Sequence, residues 1–313
     1  MKATLAKGLP DNDEAYAYEF KWDGVRALVY LRDGETCIQS RNLLDVTAQY
    51  PEVAALGEAL KGRDAVLDGE IVALDAKGRP SFQRLQRRMH VASAAEVRRR
   101  MAEVPVAYLA FDVLWLDGRS TMGLPYTERR GLLEGLPLAG PSCQIPPSHA
   151  GNGPAVLEAS RRQGLEGVMA KRLDSTYEPG RRSRAWWKVK HHRRQEFVIG
   201  GWTSGEGRRE GHIGALLLGY YDGDDLRYAG HVGTGFTDRM LDELRALLTP
   251  LRRDTSAFVD APRLKTATFV EPEQVAEVEF NEWTHGGTLR QPAFKGLRED
   301  KEPRQVVREE PPD

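Results

Sequence analysis

The chain has 313 residues, 40% of them hydrophobic and 29% charged, which is ordinary for a folded protein and long enough for two domains. No apolar stretch approaches the ~20 residues of a membrane span, the N-terminus lacks the apolar core of a signal peptide, and Cys37 and Cys143 stand far apart without metal-ligand spacing. A cytosolic protein without disulfides or structural zinc is therefore predicted, and the net charge of −1 leaves nucleic-acid binding to local clusters of charge.

In chain order, Tyr16 to Phe20 alternates aromatic with small or polar residues, and Ala27 to Leu31 is a short apolar run. Both are predicted strands, joined through the turn signal Asp23-Gly24. Val66 to Leu74 and Val106 to Leu116 read as buried strands carrying acidic residues. Helices are predicted from a Ser81 cap to Met89, from Ser93 to Ala102, and from Pro154 to a stop at Gly164. Gly167 to Lys171 and Trp186 to Lys190 follow as strands. His191-His-Arg-Arg-Gln195 interrupts the pattern and is the preferred linker. Beyond it come short, glycine-rich strands, Phe197 to Trp202, Ala215 to Tyr221, Arg227 to Val232 and Ala276 to Trp283, with one helix from a Thr237 cap to Leu248. This pattern suits a small barrel such as an OB-fold. Residues 302–313, ending Glu-Glu-Pro-Pro-Asp, are expected to form a disordered tail.

Arginine runs at 84–88 and 98–100 read as solvated faces. The run from Arg181 to Arg194 differs because Trp186 and Trp187 sit inside it. Lys21 lies in Glu19-Phe-Lys-Trp-Asp-Gly-Val-Arg26. A lysine attacks phosphorus only as the neutral amine, and at an ordinary pKa of about 10.4 only about one in a thousand is neutral near pH 7. Neighbouring positive charge or burial has to depress that value. Strand alternation puts Glu19 and Lys21 on one face, and the turn brings Arg26 back towards it.

Lys-x-Asp-Gly-x-Arg resembles the signature of the covalent nucleotidyltransferases: DNA ligases, RNA ligases and mRNA capping enzymes. Further segments resemble the rest of that family's pattern in order: Ser40-Arg-Asn42, Leu67-Asp-Gly-Glu-Ile71, Ala110-Phe-Asp-Val-Leu114, Glu166-Gly-Val-Met-Ala-Lys171 and Trp186-Trp-Lys-Val-Lys190. Leu289 to Lys301 resembles the C-terminal motif of ATP-dependent DNA ligases. The resemblance implies an α+β fold, with an adenylation domain of antiparallel sheets and flanking helices at 1–191 and an OB-fold barrel at 192–301.

It also implies roles. Lys21 would be the nucleophile, Glu19 would read the adenine amino group, and Phe111 and Met169 would close on the base. Arg26, Arg41 and Glu70 would hold the ribose and phosphate region, with Lys171 also at the nucleotide. Glu70 and Glu166 would carry Mg²⁺ or Mn²⁺. Lys188 and Lys190, two apart on a strand, would point at the α-phosphate of ATP and lower the pKa of Lys21. Arg298, Asp300 and Lys301 would orient the departing pyrophosphate, with residues 191–195 as the hinge of a domain closure. For isolated hydrophobes a plain core role competes at Met169 and Phe111. For Asp68 and Asp112 a buried hydrogen-bonded role competes with a catalytic one.

Among relatives, Glu196-Phe-Val-Ile-Gly-Gly-Trp202, the glycine-rich Gly230 to Gly235 and Ala276 to Trp283 resemble the ligase module of bacterial non-homologous end-joining enzymes most. The polymerase and phosphoesterase modules often fused to it are missing, so a stand-alone ligase or an excised piece is expected. With no additional helical DNA-binding domain at the N-terminus, the resemblance implies that firm grip on nicked or broken duplex DNA needs a Ku-type end-binding partner. A monomer in the bacterial cytosol, associated with the nucleoid, is expected. Two rivals stand beside it: another covalent nucleotidyltransferase, either an RNA ligase or a capping guanylyltransferase, and a catalytically silent OB-type DNA-binding protein.

Overall fold

The two runs flanking Asp23-Gly24 form strands in different sheets of the computed structural model, Tyr16–Phe20 in one and Val25–Arg32 in the other. The structure describes all residues except 61, 90, 92, 139, 192, 206–211, 262–265 and 310–313. It divides into two units, Met1–His191 and His192–Glu310.

In the first unit, one sheet has the order Lys2–Leu5, Arg182–Lys190, Gly167–Arg172, Tyr16–Phe20, His149–Ala150. The other runs Glu35–Ser40, Val25–Arg32, Ala65–Ala73, Val106–Leu116, Arg119–Ser120. The expectation of antiparallel sheets needs amending. Lys2–Leu5 pairs parallel with Arg182–Lys190, and Cys143–Gln144 pairs parallel with Val106–Leu116. Both sheets are mixed.

Alternation along Val25–Arg32 decides what each face buries. Val25, Ala27, Val29 and Leu31 enter the main core with Leu67, Ile71, Tyr108 and the helix-borne Val53, Phe82 and Leu85. The opposite face carries Arg26 and Leu28, and Leu28 packs with Leu114, Phe111, Met169 and Trp186. Since Met169 and Trp186 belong to the first sheet, this cluster lines the space between the two sheets. The first sheet's other face is covered by helix Gly153–Arg162, whose Val156 packs on Tyr18, Val168, Ala170 and Val189.

Strand Val106–Leu116 is bulged twice. Asp68 pairs with Asp112 while Gly69 pairs with Ala110, leaving Phe111 as the extra residue. Likewise Leu67 pairs with Val113 and Val66 with Trp115, leaving Leu114 over. Bulges re-aim side chains and are frequent beside functional sites.

In the second unit the sheet order is Asp225–Val232, Ile213–Asp222, Arg193–Ser204, Ala267–Phe280, Arg252–Arg253, with Ala293–Leu297 also paired to Ala267–Phe280. The Phe294 amide donates to the Thr234 carbonyl, 2.9 Å away, joining the segment after Asp225–Val232 to Ala293–Leu297 and closing the sheet towards a barrel. Gly235 permits this approach: its φ is +91°, and a Cβ there would lie 2.3 Å from the Phe294 carbonyl oxygen. Helix Asp238–Leu248, capped by Thr237, seals one end with Leu241, Leu244 and Leu248.

Two expectations change. Residues 193–195 of the expected linker already belong to strand Arg193–Ser204, and His192 lies outside the described residues. Residues 302–309 of the expected disordered tail are packed on the second unit, because Val306 is buried among Tyr221, Phe258 and Val275. Residues 310–313 lie outside the described residues.

Candidate active site

Three antiparallel strands of the first sheet lay their inner residues in rows. Glu19, Met169 and Lys188 are register partners across Tyr16–Phe20, Gly167–Arg172 and Arg182–Lys190. Ala17, Lys171 and Trp186 form the row beside them, and Gly167 and Lys190 the row on the other side. The Lys21 amide donates to the Gly167 carbonyl at 2.9 Å, which brings Lys21 into that last row. Only glycine fits at 167: its φ is +154°, and a Cβ would lie 2.0 Å from the Val189 carbonyl oxygen.

Glu166, one residue earlier, bridges two lysines. Lys21 Nζ lies 2.5 Å from one carboxylate oxygen and Lys190 Nζ 2.8 Å from the other, and Glu166 is only 4% exposed. This corrects the expected electrostatics. Burial alone would depress the Lys21 amine, but the Glu166 charge outweighs it, helped by Asp23 and Glu70, and Lys21 is held above the ordinary lysine value. The carboxylate between the lysines reverses the sign expected from Lys188 and Lys190.

Glu19 is buried as well. Lys171 Nζ lies 2.8 and 2.9 Å from its two oxygens, the Tyr126 hydroxyl donates to it, and the Arg130 guanidinium stands 3.7 Å away. Lys171, expected in contact with the nucleotide, is instead 1% exposed. Its ammonium also donates to the Phe111 carbonyl at 3.2 Å and lies 4.6 Å from the Phe111 ring centre and 4.5 Å from that of Trp186. It ties the bulge at Phe111 to Glu19, a supporting position.

From the second sheet, Arg26 makes a two-point pair with buried Asp68, at 2.9 and 2.6 Å, and its guanidinium lies 5.6 Å from the Phe111 ring centre. Glu70 is the register partner of Arg26. Arg41 sits in the turn after Glu35–Ser40, next to Ser40, which pairs with Ala27. Asp68 and Asp112 take the buried hydrogen-bonded alternative. Tyr177 donates to Asp68 at 2.8 Å, and Arg129 grips Asp112 at 2.8 and 2.9 Å with both side chains fully buried.

Arg298, Asp300 and Lys301 lie in the second unit. Arg298 pairs with Asp300 at 2.8 and 2.9 Å and approaches Glu277 at 3.5 Å, while Lys301 pairs with Glu196 at 3.0 Å. Burial would raise Asp300, but Arg298 overrides it and holds the carboxyl below its usual range.

Sequence reasoning missed Tyr126, Arg129, Arg130 and Tyr177. The first three ride on helix Tyr126–Glu134, which no apolar periodicity announced because two of its buried residues are arginines. Its sequence signals are Pro125 immediately before the helix, Glu128 in its first turn and Gly135 just after its end.

A family model described as "ATP dependent DNA ligase domain" matches residues 1–190, and one described as "ATP dependent DNA ligase C terminal region" matches 209–301. The chain is 46% identical over 311 residues to the multifunctional non-homologous end joining protein LigD of Mycolicibacterium smegmatis, covering 98% of this chain and 39% of that protein. It is 39% identical over 307 residues to a DNA ligase of Methanoculleus marisnigri, covering 95% and 54%. Among solved structures, mycobacterial DNA ligase D complexed with ATP and MES matches with a TM-score of 0.70 at 42% identity, covering 99% of this chain and 98% of that one. The ligase domain of LigD from M. tuberculosis matches with a TM-score of 0.54 at 43% identity, covering 98% of each chain.

Proposed function

Because the chain belongs to the ATP-dependent DNA ligase family, we propose that it seals nicks in duplex DNA through an AMP carried on Lys21. The observation that carries this reading is the convergence of Lys21, Glu166 and Lys190 beside the row of Glu19, Met169 and Lys188. Lys21 attacks the α-phosphate of ATP and expels pyrophosphate. The AMP passes to the 5′-phosphate at the nick, and the 3′-hydroxyl then attacks that phosphate and releases AMP. Once bonded to phosphorus the Lys21 nitrogen no longer carries a positive charge, so its pair with Glu166 dissolves.

Glu19 is assigned to the adenine, with Lys171, Tyr126 and Arg130 fixing its carboxylate. Phe111, delivered by the bulge, and Met169 flank the base, while Arg26, Arg41 and Glu70 serve the ribose and phosphate. Lys188 and Lys190 neutralise charge at the α-phosphate, and Arg298, Asp300 and Lys301 act on the pyrophosphate. Glu70 and Glu166 suit Mg²⁺ or Mn²⁺: two carboxylates with phosphate oxygens and water complete the all-oxygen set such a cation prefers. When bound it would supply charge neutralisation at the phosphates. Broken or nicked duplex DNA is the proposed substrate and a Ku-type end-binding protein the proposed partner, supported by the end-joining names of the LigD relatives. Among the described residues no helix is long and apolar enough to cross a membrane.

Sealing of a singly nicked duplex tests the reading, with wild type compared with Lys21→Ala. The wild type is expected to be labelled by ATP and to seal, and the variant to do neither from ATP. Labelling by GTP alone would sink the assignment in favour of a capping-type activity.

A further inference from the structure

The motif Arg298–Lys301 is continued by a segment that the matching family model, ending at 301, does not include. Residues 302–309 hold to the second unit at several points. The Tyr221 amide donates to the Val306 carbonyl at 2.7 Å, and Tyr221 and Val307 form a parallel bridge. Val306 is 1% exposed among Tyr221, Phe258 and Val275. Arg304 lies 4.5 Å over the Tyr221 ring, and Arg308 4.4 Å over that of Trp283.

A further point is Gln195. Its amide nitrogen donates to the Val307 carbonyl at 3.0 Å, and its oxygen accepts from the Glu309 amide at 3.1 Å. The side chain thus mimics one rung of a β-ladder, and it is buried. The next residue, Glu196, holds Lys301, and its register partner Glu277 faces Arg298. The Arg298 amide is anchored on the Val275 carbonyl at 2.7 Å, in the cluster that buries Val306. Adjacent residues of one strand therefore grip the segment and the motif. Alternation puts the two grips on opposite faces of that strand.

We propose that Gln195 and residues 302–309 form a strap that positions Arg298, Asp300 and Lys301 for the ATP-consuming step. The inference rests on the ligase reading, in which those three residues act on pyrophosphate during lysine adenylylation. Gln195 is a positioning residue: it acts on the motif through the strand both share. A loosened strap slows adenylylation and leaves the last step, which involves no pyrophosphate, largely intact.

The experiment compares wild type with Gln195→Ala and with a chain ending at Glu302, in two assays. Single-turnover labelling of Lys21 by ATP is expected to slow about tenfold in both variants, a loss of about 1.4 kcal/mol of transition-state stabilisation. Sealing of a duplex already carrying the 5′-adenylate is expected to stay within about twofold of wild type. Unchanged labelling would overturn the proposal. So would a proportional loss in both assays, which is the mark of a structural role alone. If circular dichroism shows the shortened chain unfolded, Gln195→Ala decides. A wild type that ATP does not label would overturn the ligase reading itself, a different result from a wild type and variants labelled alike.

Discussion

Replacing Glu166 by Gln tests how Lys21 is poised. The carboxylate sits 2.5 Å from the Lys21 amine and 2.8 Å from that of Lys190, and against the effect of burial it keeps Lys21 protonated. At this separation and an effective dielectric of about 20 the bare Coulomb attraction is ~7 kcal/mol. Most of that is offset by lost hydration, and the net worth of a charged hydrogen bond is about 1.5–3 kcal/mol. Taking about 2 kcal/mol, the neutral fraction of Lys21 at a given pH below its titration rises about thirtyfold in Glu166→Gln. The neutral amine is the attacking form, so the alkaline-rising limb of the pH–rate profile moves to lower pH. Removing the carboxylate from between Lys21 and Lys190 acts in the same direction. Glu166 is also assigned to the metal, so labelling by ATP would mix its two roles, and the readout is the reactivity of the Lys21 amine itself. The assay is the rate of Lys21 acetylation by acetic anhydride in the nucleotide-free, metal-free enzyme, followed by mass spectrometry from about pH 6 to about pH 10. A limb that stays in place, or moves to higher pH, refutes the reasoning.

Tyr126→Phe removes the hydroxyl that donates to Glu19 and keeps the ring. A net hydrogen bond of about 1 kcal/mol predicts an approximately fivefold rise in KM for ATP in adenylylation, and an unchanged KM would count against Tyr126 positioning Glu19. Asp112→Ala strands the fully buried Arg129. It is expected to cost about 3–5 kcal/mol and to lower the calorimetric Tm of the first unit by roughly 6–20 °C; a shift under about 3 °C would contradict this. Burial would raise Asp68, but Arg26 and Tyr177 outweigh it and hold the carboxyl below its ordinary value. A depressed folded pKa gives stability that is present above the unfolded value, about 3.9, and lost as pH falls through the folded one. Asp68→Asn should therefore flatten the loss of urea stability between about pH 5 and about pH 2, and a variant as acid-sensitive as wild type would overturn the pairing argument.

Strand alternation made much of this cleft legible in the sequence. It put Glu19 with Lys21 and Lys188 with Lys190, and the register of the three strands sets those pairs in adjacent rows. The charge state of Lys21 was not legible, since spacing shows two nearby lysines but not that the chain places Glu166 between Lys21 and Lys190. Lys171 shows the same limit. Its face is given by alternation, but its burial depends on Tyr126, Phe111 and Trp186, which come from three distant segments. Helix Tyr126–Glu134 escaped because hydrophobic patterns do not register a buried arginine whose partner is remote. The segment after Lys301 escaped because one valine and a glutamine amide outweigh its charged, proline-rich composition.

The doubled bulge in Val106–Leu116 leaves a mark outside the structure. Before the first bulge the core residues Val106, Tyr108 and Ala110 fall at every second position; beyond it they fall at Ala110, Val113 and Leu116. An i, i+3 spacing is the signature of a helix face, here written by an extended chain. The residues that this strand gives to the main core therefore change their beat midway, from two to three.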